Sequence, residues 1–222
     1  VGAFDAGSLA RAAAETRAAI ARRDVVAWHE QLFRRPASPV VEDIAAALIR
    51  PGSAGACIVA DAFAESMDVI GFCVEAWPVW RVMSNTRHRR AMILMPPAMF
   101  TGAADRCRAV LGSSVARMVW PSIRRRRRID APDEIAMQAG AAGKPSFIFG
   151  STRGPLPGYD GAVSDVICVF AEDLGDDLAW LDSEILPLIR RPRAGRVIVV
   201  GVGEGGSVVR RARRRAGWSV FE

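Results

Sequence analysis

The stretch from Asp165 through Val166, Ile167, Cys168, Val169, Phe170 and Ala171 to Glu172 and Asp173 constrains this chain more than any other. Val166 to Phe170 are uninterrupted apolar residues, the pattern of a strand buried on both faces of a parallel sheet. The strand stops at two acids, Glu172 and Asp173. In open α/β sheets ligands sit beyond the carboxyl ends of the strands, so acids there face the usual position of a site. The competing reading is a buried strand followed by a solvated acidic turn.

Similar apolar runs recur at Gly55–Ala60, Ala91–Met95, Gly195–Val200 and Trp218–Phe221. Ile135–Met137 and Ser146–Phe149 are expected to pair as a hairpin across a glycine-bearing connection. Helical patterns fill the intervals: 8–23 with Ser8 as N-cap, 26–33, 40–49, from about Met67, 102–119, 176–189 and 208–216. Strands alternating with helices predict an α/β fold, a mainly parallel sheet with helices on both faces, over residues 51–222. Residues 1–50 read as a helical N-terminal preface packed on that domain, closed by Pro51-Gly52.

With 222 residues, 50% of them hydrophobic, the chain can bury a substantial single core. No apolar run reaches the ~18 residues of a membrane span, and Glu75 and Pro78 interrupt Val69–Trp80. The N-terminus lacks the charged-then-apolar order of a signal peptide, so a cytoplasmic location is expected. Cys57, Cys73, Cys107 and Cys168 form no C-x-x-C pair and read as buried, reduced thiols. The two histidines, His29 and His88, lie among charged neighbours, against a zinc site or a histidine-based triad.

Charge is the third constraint. The formal net charge is +6 and the pI about 10.0, and Lys144 is the only lysine among 30 basic residues. This balance favours a polyanion, double-stranded DNA first among them. Two clusters stand out: Arg124, Arg125, Arg126, Arg127 and Arg128, and Arg210, Arg211, Arg213, Arg214 and Arg215. On a helix Arg210 and Arg214, and Arg211 and Arg215, fall at i and i+4 and make a basic face. The alternative is a solvated face, or an intersubunit patch paired with Asp173, Asp176 and Asp177.

The connection after Val59 reads Ala60, Asp61, Ala62, Phe63, Ala64, Glu65, Ser66. Its position between strand and helix is that of a P-loop, whose backbone N–H groups wrap phosphates and whose Gly-Lys-Ser/Thr ending supplies a cation and a magnesium-binding hydroxyl. Ser66 keeps the hydroxyl, but Ala64 and Glu65 replace the glycine and lysine. Like charges ~4 Å apart at an effective dielectric near 20 cost on the order of 4 kcal/mol, so Glu65 opposes phosphate binding.

Taken in order, these segments resemble the ATPase domain of a phage terminase large subunit, the motor that drives DNA into a capsid. Ala91–Pro97 is similar to the strand after the P-loop helix. Phe147–Ser151 with the loop to Gly161, then Asp165–Asp173, is similar to the run into the acidic Walker B strand. Leu186–Gly201 is similar to the approach to the coupling strand, and Ala216–Phe221 to the segment beyond it. The resemblance covers nearly the whole chain from about Trp28 and lies in the order of individually weak motifs. It implies a P-loop-NTPase-like fold with ATP and magnesium as cofactors. Ala64, Glu65 and Ser66 would stand at the nucleotide, Ser66 on the metal, and Glu172 would be the general base that orients water. It further implies double-stranded DNA, portal, capsid or other terminase subunits as partners, a homo-oligomer, and the bacterial host cytoplasm as location. The chain departs from the pattern at 64–65, at Ala171 in place of an Asp, and at Gly201-Val202-Gly203 in place of a Thr-Pro-like pair. The nuclease domain that normally follows does not fit in this length. These departures point to a pseudo-ATPase.

Two alternatives stay open. One is a basic DNA- or particle-binding structural protein without nucleotide. The other is a Rossmann-type dinucleotide or S-adenosylmethionine site, because Gly201, Gly203 and Gly206 follow a strand and Glu222 lies about 20 residues beyond Gly201. That fingerprint belongs to the first strand of its fold, and here it comes near the end.

Overall fold

The computed structural model describes residues 6–60, 66–84, 90–125, 128–130, 134–137, 146–151, 165–170, 183, 187, 195–201 and 212–221. One eight-stranded sheet is built from β1 (Gly55–Val59), β2 (Arg90–Met95), β3 (Arg128–Asp130), β4 (Glu134–Met137), β5 (Ser146–Ser151), β6 (Asp165–Phe170), β7 (Arg196–Gly201) and β8 (Trp218–Phe221). Their order is β3-β4-β5-β2-β6-β7-β1-β8. The six strands from β5 to β8 in that order pair in parallel, and β3 and β4 add an antiparallel edge. The expected hairpin is present, with Ile135 opposite Phe147. β3 was not anticipated, because its Arg-rich approach carries no strand pattern.

Seven helices are described: α1 (Ala6–Arg23), α2 (Val25–Phe33), α3 (Pro39–Ile49), α4 (Ser66–Gly71), α5 (Trp77–Ser84), α6 (Pro97–Gly112) and α7 (Ser114–Val119). Asp24 caps α2 and Ser38 caps α3, each accepting a backbone N–H of the first turn. The single helix expected over 102–119 is two. Ser113 takes an extended conformation, its amide closes α6 on the Val110 carbonyl, and its hydroxyl accepts the Ala116 amide of α7. Pro97 starts α6 earlier than expected, since proline at a first helical position loses no hydrogen bond.

A π-helical turn, Phe72–Ala76, joins α4 to α5. Pro78 has no N–H to give the Val74 carbonyl, and the Cys107 thiol donates to that oxygen instead at 3.6 Å. The Ala76 carbonyl accepts the Trp28 indole N–H at 3.0 Å.

Side chains of α1 to α7 share one core with one face of the sheet, where Ile58, Ile93, Ile167 and Ile198 lie fully buried. The opposite face is buried too: Cys57, Met92, Leu94, Val166, Cys168 and Val199 are each at most 1% exposed. Strands covered on both sides explain the uninterrupted apolar runs. All four cysteines are buried and none is in a disulfide, and burial pushes the Cys107 thiol up to about 12, so it is an inert packing group. No helix among the described residues is long and apolar enough to cross a membrane.

Candidate functional site

The chain leaves β1 towards β2 and leaves β7 towards β8, in opposite directions across the sheet, although β1 and β7 are neighbours. Their carboxyl ends, Val59 opposite Gly201, therefore form a topological switch point, where α/β sheets bind ligands. β7 in turn pairs Gly201 with Phe170 of β6. The carboxyl ends of β1 and β6 thus lie two strand spacings, ~10 Å, apart. Ser66, expected to be the magnesium ligand, opens α4 and is half-buried. Ala64, Glu65 and Glu172 lie outside the described residues. In sequence, 61–65 connect β1 to α4 and Glu172 follows β6 by two residues.

The donor set of that connection does not fit a nucleoside triphosphate with magnesium. Asp61 and Glu65 bring two carboxylates, there is no glycine whose backbone can wrap phosphate closely, and there is no cation.

What holds the start of α4 is a cluster that sequence reasoning missed. Asp68, in its first turn, is buried and accepts from His29 Nε2 at 2.9 Å, Arg35 Nη2 at 2.6 Å and the Ser38 amide at 3.2 Å. Three points of the α2–α3 region thereby grip the helix that follows the loop. His29 is wholly buried, packed on Phe33 and Phe72, and its Nδ1 has no hydrogen-bond partner. Since a carboxylate only accepts, Nε2 carries the proton. No local signal reveals this cluster, because His29 and Asp68 are 39 positions apart.

Burial lowers the His29 pKa below its ordinary 6.5, against the pull of Asp68. Burial alone would raise Asp68, but His29, charged by the time Asp68 titrates, and the Ser38 amide outweigh it and leave Asp68 below its ordinary value. Both shifts have one sign. A depressed histidine stabilises above the unfolded value near 6.5 and loses that contribution as pH falls below it, and a depressed carboxylate adds a further loss in acid. Thermal midpoints should therefore fall between pH 7 and pH 5. In His29→Gln, which cannot titrate, the slope across that window should flatten, and an unchanged slope would place the acid sensitivity elsewhere.

The glycine-rich alternative meets a topological obstacle. A Rossmann site needs the strand after the glycine turn beside the first, but β1 lies between β7 and β8. β8 is therefore two spacings, ~10 Å, from β7. Gly203, Gly206 and Glu222 are outside the described residues.

Of the predicted basic residues, those described are found before β3 and before β8. Arg124 and Arg125 end a 3₁₀ turn, Pro121–Arg125, and Arg128 opens β3, while Arg126 and Arg127 lie outside the described residues. The expected basic helix corrects to a shorter one. Helical structure reaches Arg213, and Arg214 and Arg215 stand in the turn that leads into β8, so they present no i, i+4 helical face. Gly217, at φ +77°, makes the reversal, and the Arg215 guanidinium lies 5.4 Å from the centre of the Trp218 ring. Arg210 and Arg211 lie outside the described residues.

No protein-family profile and no curated protein sequence matches the chain. Among solved structures it superposes on the large terminase of bacteriophage HK97 with a TM-score of 0.60 and 9% identity, over 90% of this chain and 43% of that one. The chain therefore spans less than half of that terminase's length. A mutant ATPase domain of the Thermus phage P74-26 large terminase gives a TM-score of 0.49 and 14% identity, over 86% of this chain and 83% of that one. The first comparison carries the assignment: this chain has the α/β fold found in a phage large terminase.

Proposed function

We propose that the chain is a large-terminase-type ATPase domain that keeps the fold and has lost nucleotide turnover, serving phage DNA packaging or a phage-derived particle as a DNA-contacting structural domain. The observation that carries this reading is the β1–α4 connection. It follows β1 at the switch point of the sheet, and its sequence carries Asp61 and Glu65 and no cation, where a phosphate-binding loop needs one. Glu172, even if placed as general base, has Ala171 before it in place of the metal-binding acid. Portal, capsid or other terminase subunits, and further copies of this chain, are the protein partners the fold suggests.

The test is a thermal-shift series with magnesium and ATP, NAD or S-adenosylmethionine. A ligand at ~100 times its dissociation constant adds about 2.7 kcal/mol of stability. No shift is expected with any of the three. A shift with ATP would restore the motor reading, and one with NAD or S-adenosylmethionine would move the site to Gly201–Gly206. Glu65→Lys combined with Ala171→Asp should bring back measurable ATP affinity, and a double variant still blind to ATP would remove the degraded-P-loop explanation.

A further inference from the structure

α1 is apolar on two opposite sides, and only one of them meets the core. Ala18 and Ala21 are buried and Ala14 is half-buried on the inner side. Two neighbouring helices hold α1 in place: Gln31 Nε2 donates to the Arg17 carbonyl at 2.9 Å, and the Trp80 indole N–H to the Ala21 carbonyl at 3.2 Å. The outer side carries Leu9, Ala12, Ala13, Thr16 and Ile20, all exposed. Leu9 and Ile20 are three helical turns apart, so they stand in line about 16 Å from one another. At 54% and 51% exposure they are two of the four large apolar side chains that the described residues leave in water, and Ile49 and Met67 stand on other helices. The Thr16 hydroxyl donates to the Ala12 carbonyl at 2.9 Å, so its proton is engaged within the helix.

The charges bordering this stripe have one sign. Arg17 and Arg23, both exposed, lie three residues either side of Ile20 and are its neighbours on the helix surface. The only acid of α1, Glu15, is exposed about 140° around the helix from Ile20 and so lies off the stripe. Arg11 and Arg22 are exposed farther round. Four arginines against one glutamate give α1 a net charge of +3.

We propose that the outer stripe of α1 docks an amphipathic helix with acidic flanks, supplied by a partner protein. Leu9 and Ile20 are the anchors at its two ends, and the alanines at 12 and 13 let a second helix approach closely between them. Arg17 and Arg23 select carboxylates on the partner over ammonium groups. A second copy of α1 fits poorly, because each copy would bring a charge of +3 against the other. A lipid surface fits poorly as well, since interfacial anchoring grows with apolar area and the stripe has only two large side chains. The docking surface follows from α1 alone and stands whether or not the chain turns over nucleotide.

The test is fluorescence anisotropy of the full chain with a labelled, helix-constrained peptide of about 18 residues, with leucine along one face and glutamate beside it. This peptide should bind about tenfold more tightly than its lysine counterpart and than a scrambled peptide of the same composition. Leu9→Ser with Ile20→Ser should weaken binding about tenfold, whereas Ile49→Ser, on α3 and similarly exposed at 56%, should change it less than about threefold. Arg17→Glu with Arg23→Glu should reverse the preference in favour of the lysine peptide. Equal binding of the scrambled and ordered acidic peptides would reduce the stripe to an attractor of any polyanion and overturn the proposal. An unaffected Leu9→Ser, Ile20→Ser chain would overturn it too. So would dimerisation in sedimentation that this double variant abolishes, which would assign the stripe to a second copy. Retention on phosphatidylserine-containing vesicles with the peptide unbound would assign it to a membrane, with the same consequence. Should the double variant unfold, Ala13→Gln alone is expected to weaken the peptide about fivefold, because it lifts the partner helix off the stripe. ATP binding in the thermal-shift series would overturn the proposed loss of turnover and leave this surface untouched, and a silent peptide would do the reverse.

Discussion

Replacing Arg81 by methionine should cost the fold about 3–5 kcal/mol, measured as a shift in the urea unfolding midpoint at unchanged m-value. Asp165, at the amino end of β6, has no exposed side-chain surface, and Arg81 Nε donates to its Oδ2 at 2.9 Å. Its Oδ1 accepts the Arg196 amide at 2.9 Å, and the Arg196 guanidinium reaches the Leu48 carbonyl at 2.7 Å. One carboxylate thus ties α5, β6 and β7 together, and Arg196 extends the tie to α3. Without Arg81 that buried carboxylate keeps one N–H donor and loses its hydrogen-bonded cation, leaving the charge of Arg196, which is bonded elsewhere, to offset it. Burial already pushes the Asp165 pKa above its ordinary value while Arg81 and Arg196 pull it down. Removing Arg81 raises it further. A carboxyl group raised in the fold stabilises at low pH and loses that contribution as pH rises through the folded value, so the deficit of Arg81→Met should grow from pH 4 to pH 8. Pairing Arg81→Met with Asp165→Leu should recover part of the loss, because a buried ion pair replaced whole by apolar groups is often neutral. A deficit below about 1 kcal/mol for the single variant would show that the pair contributes little.

Asp165 also shows where the sequence stopped being legible. The apolar run beside it declared a buried strand, because that signal is contained in neighbouring residues. The partner of Asp165 is 84 positions away, and nothing local in Trp77–Ser84 distinguishes Arg81 from a solvated arginine. His29 and Asp68 were opaque for the same reason, and a histidine among charged neighbours in sequence proved to be wholly buried. Sheet order was equally hidden, and it decides between the two nucleotide readings by putting β1, rather than β8, beside β7. The turn at Arg214 and Arg215 was misread because Ala-Arg repeats have high helix propensity, while the packing of Gly217 against Gly52 requires the chain to reverse. The helix after β1 was legible, expected from about Met67 and found from Ser66. The expected site residues Glu65 and Glu172 rest on sequence position and on chemistry.

Trp28→Ala should be about as costly, about 3–5 kcal/mol, and it tests whether the first 50 residues are a preface or part of the core. Trp28 is fully buried, its indole N–H donates to the Ala76 carbonyl at 3.0 Å, and its ring meets Trp120 edge-on with centroids 4.6 Å apart. Alanine would leave a cavity under α5 and α7 and strip the π turn of the donor that satisfies Ala76. Trp28→Phe, which keeps most of the burial, should lose only about 1 kcal/mol for the hydrogen bond. Val41, Ile44 and Leu48 of α3 are fully buried in the same cluster as Ile58 and Ile198 of the sheet, and the Trp80 indole donates to the Ala21 carbonyl of α1 at 3.2 Å. A fragment of residues 51–222 should therefore show no cooperative melt, and a cooperative melt of that fragment, or a Trp28→Ala loss under 1 kcal/mol, would make the preface a separate unit. The helix after the β1 connection is positioned by this layer through Asp68, and the π turn that follows it through Ala76. A helix anchored in that way takes its position from α2 and α3, so substitutions between Ala60 and Ser66 should leave α4 and the sheet in place, with the unfolding midpoint changed by less than about 1 kcal/mol.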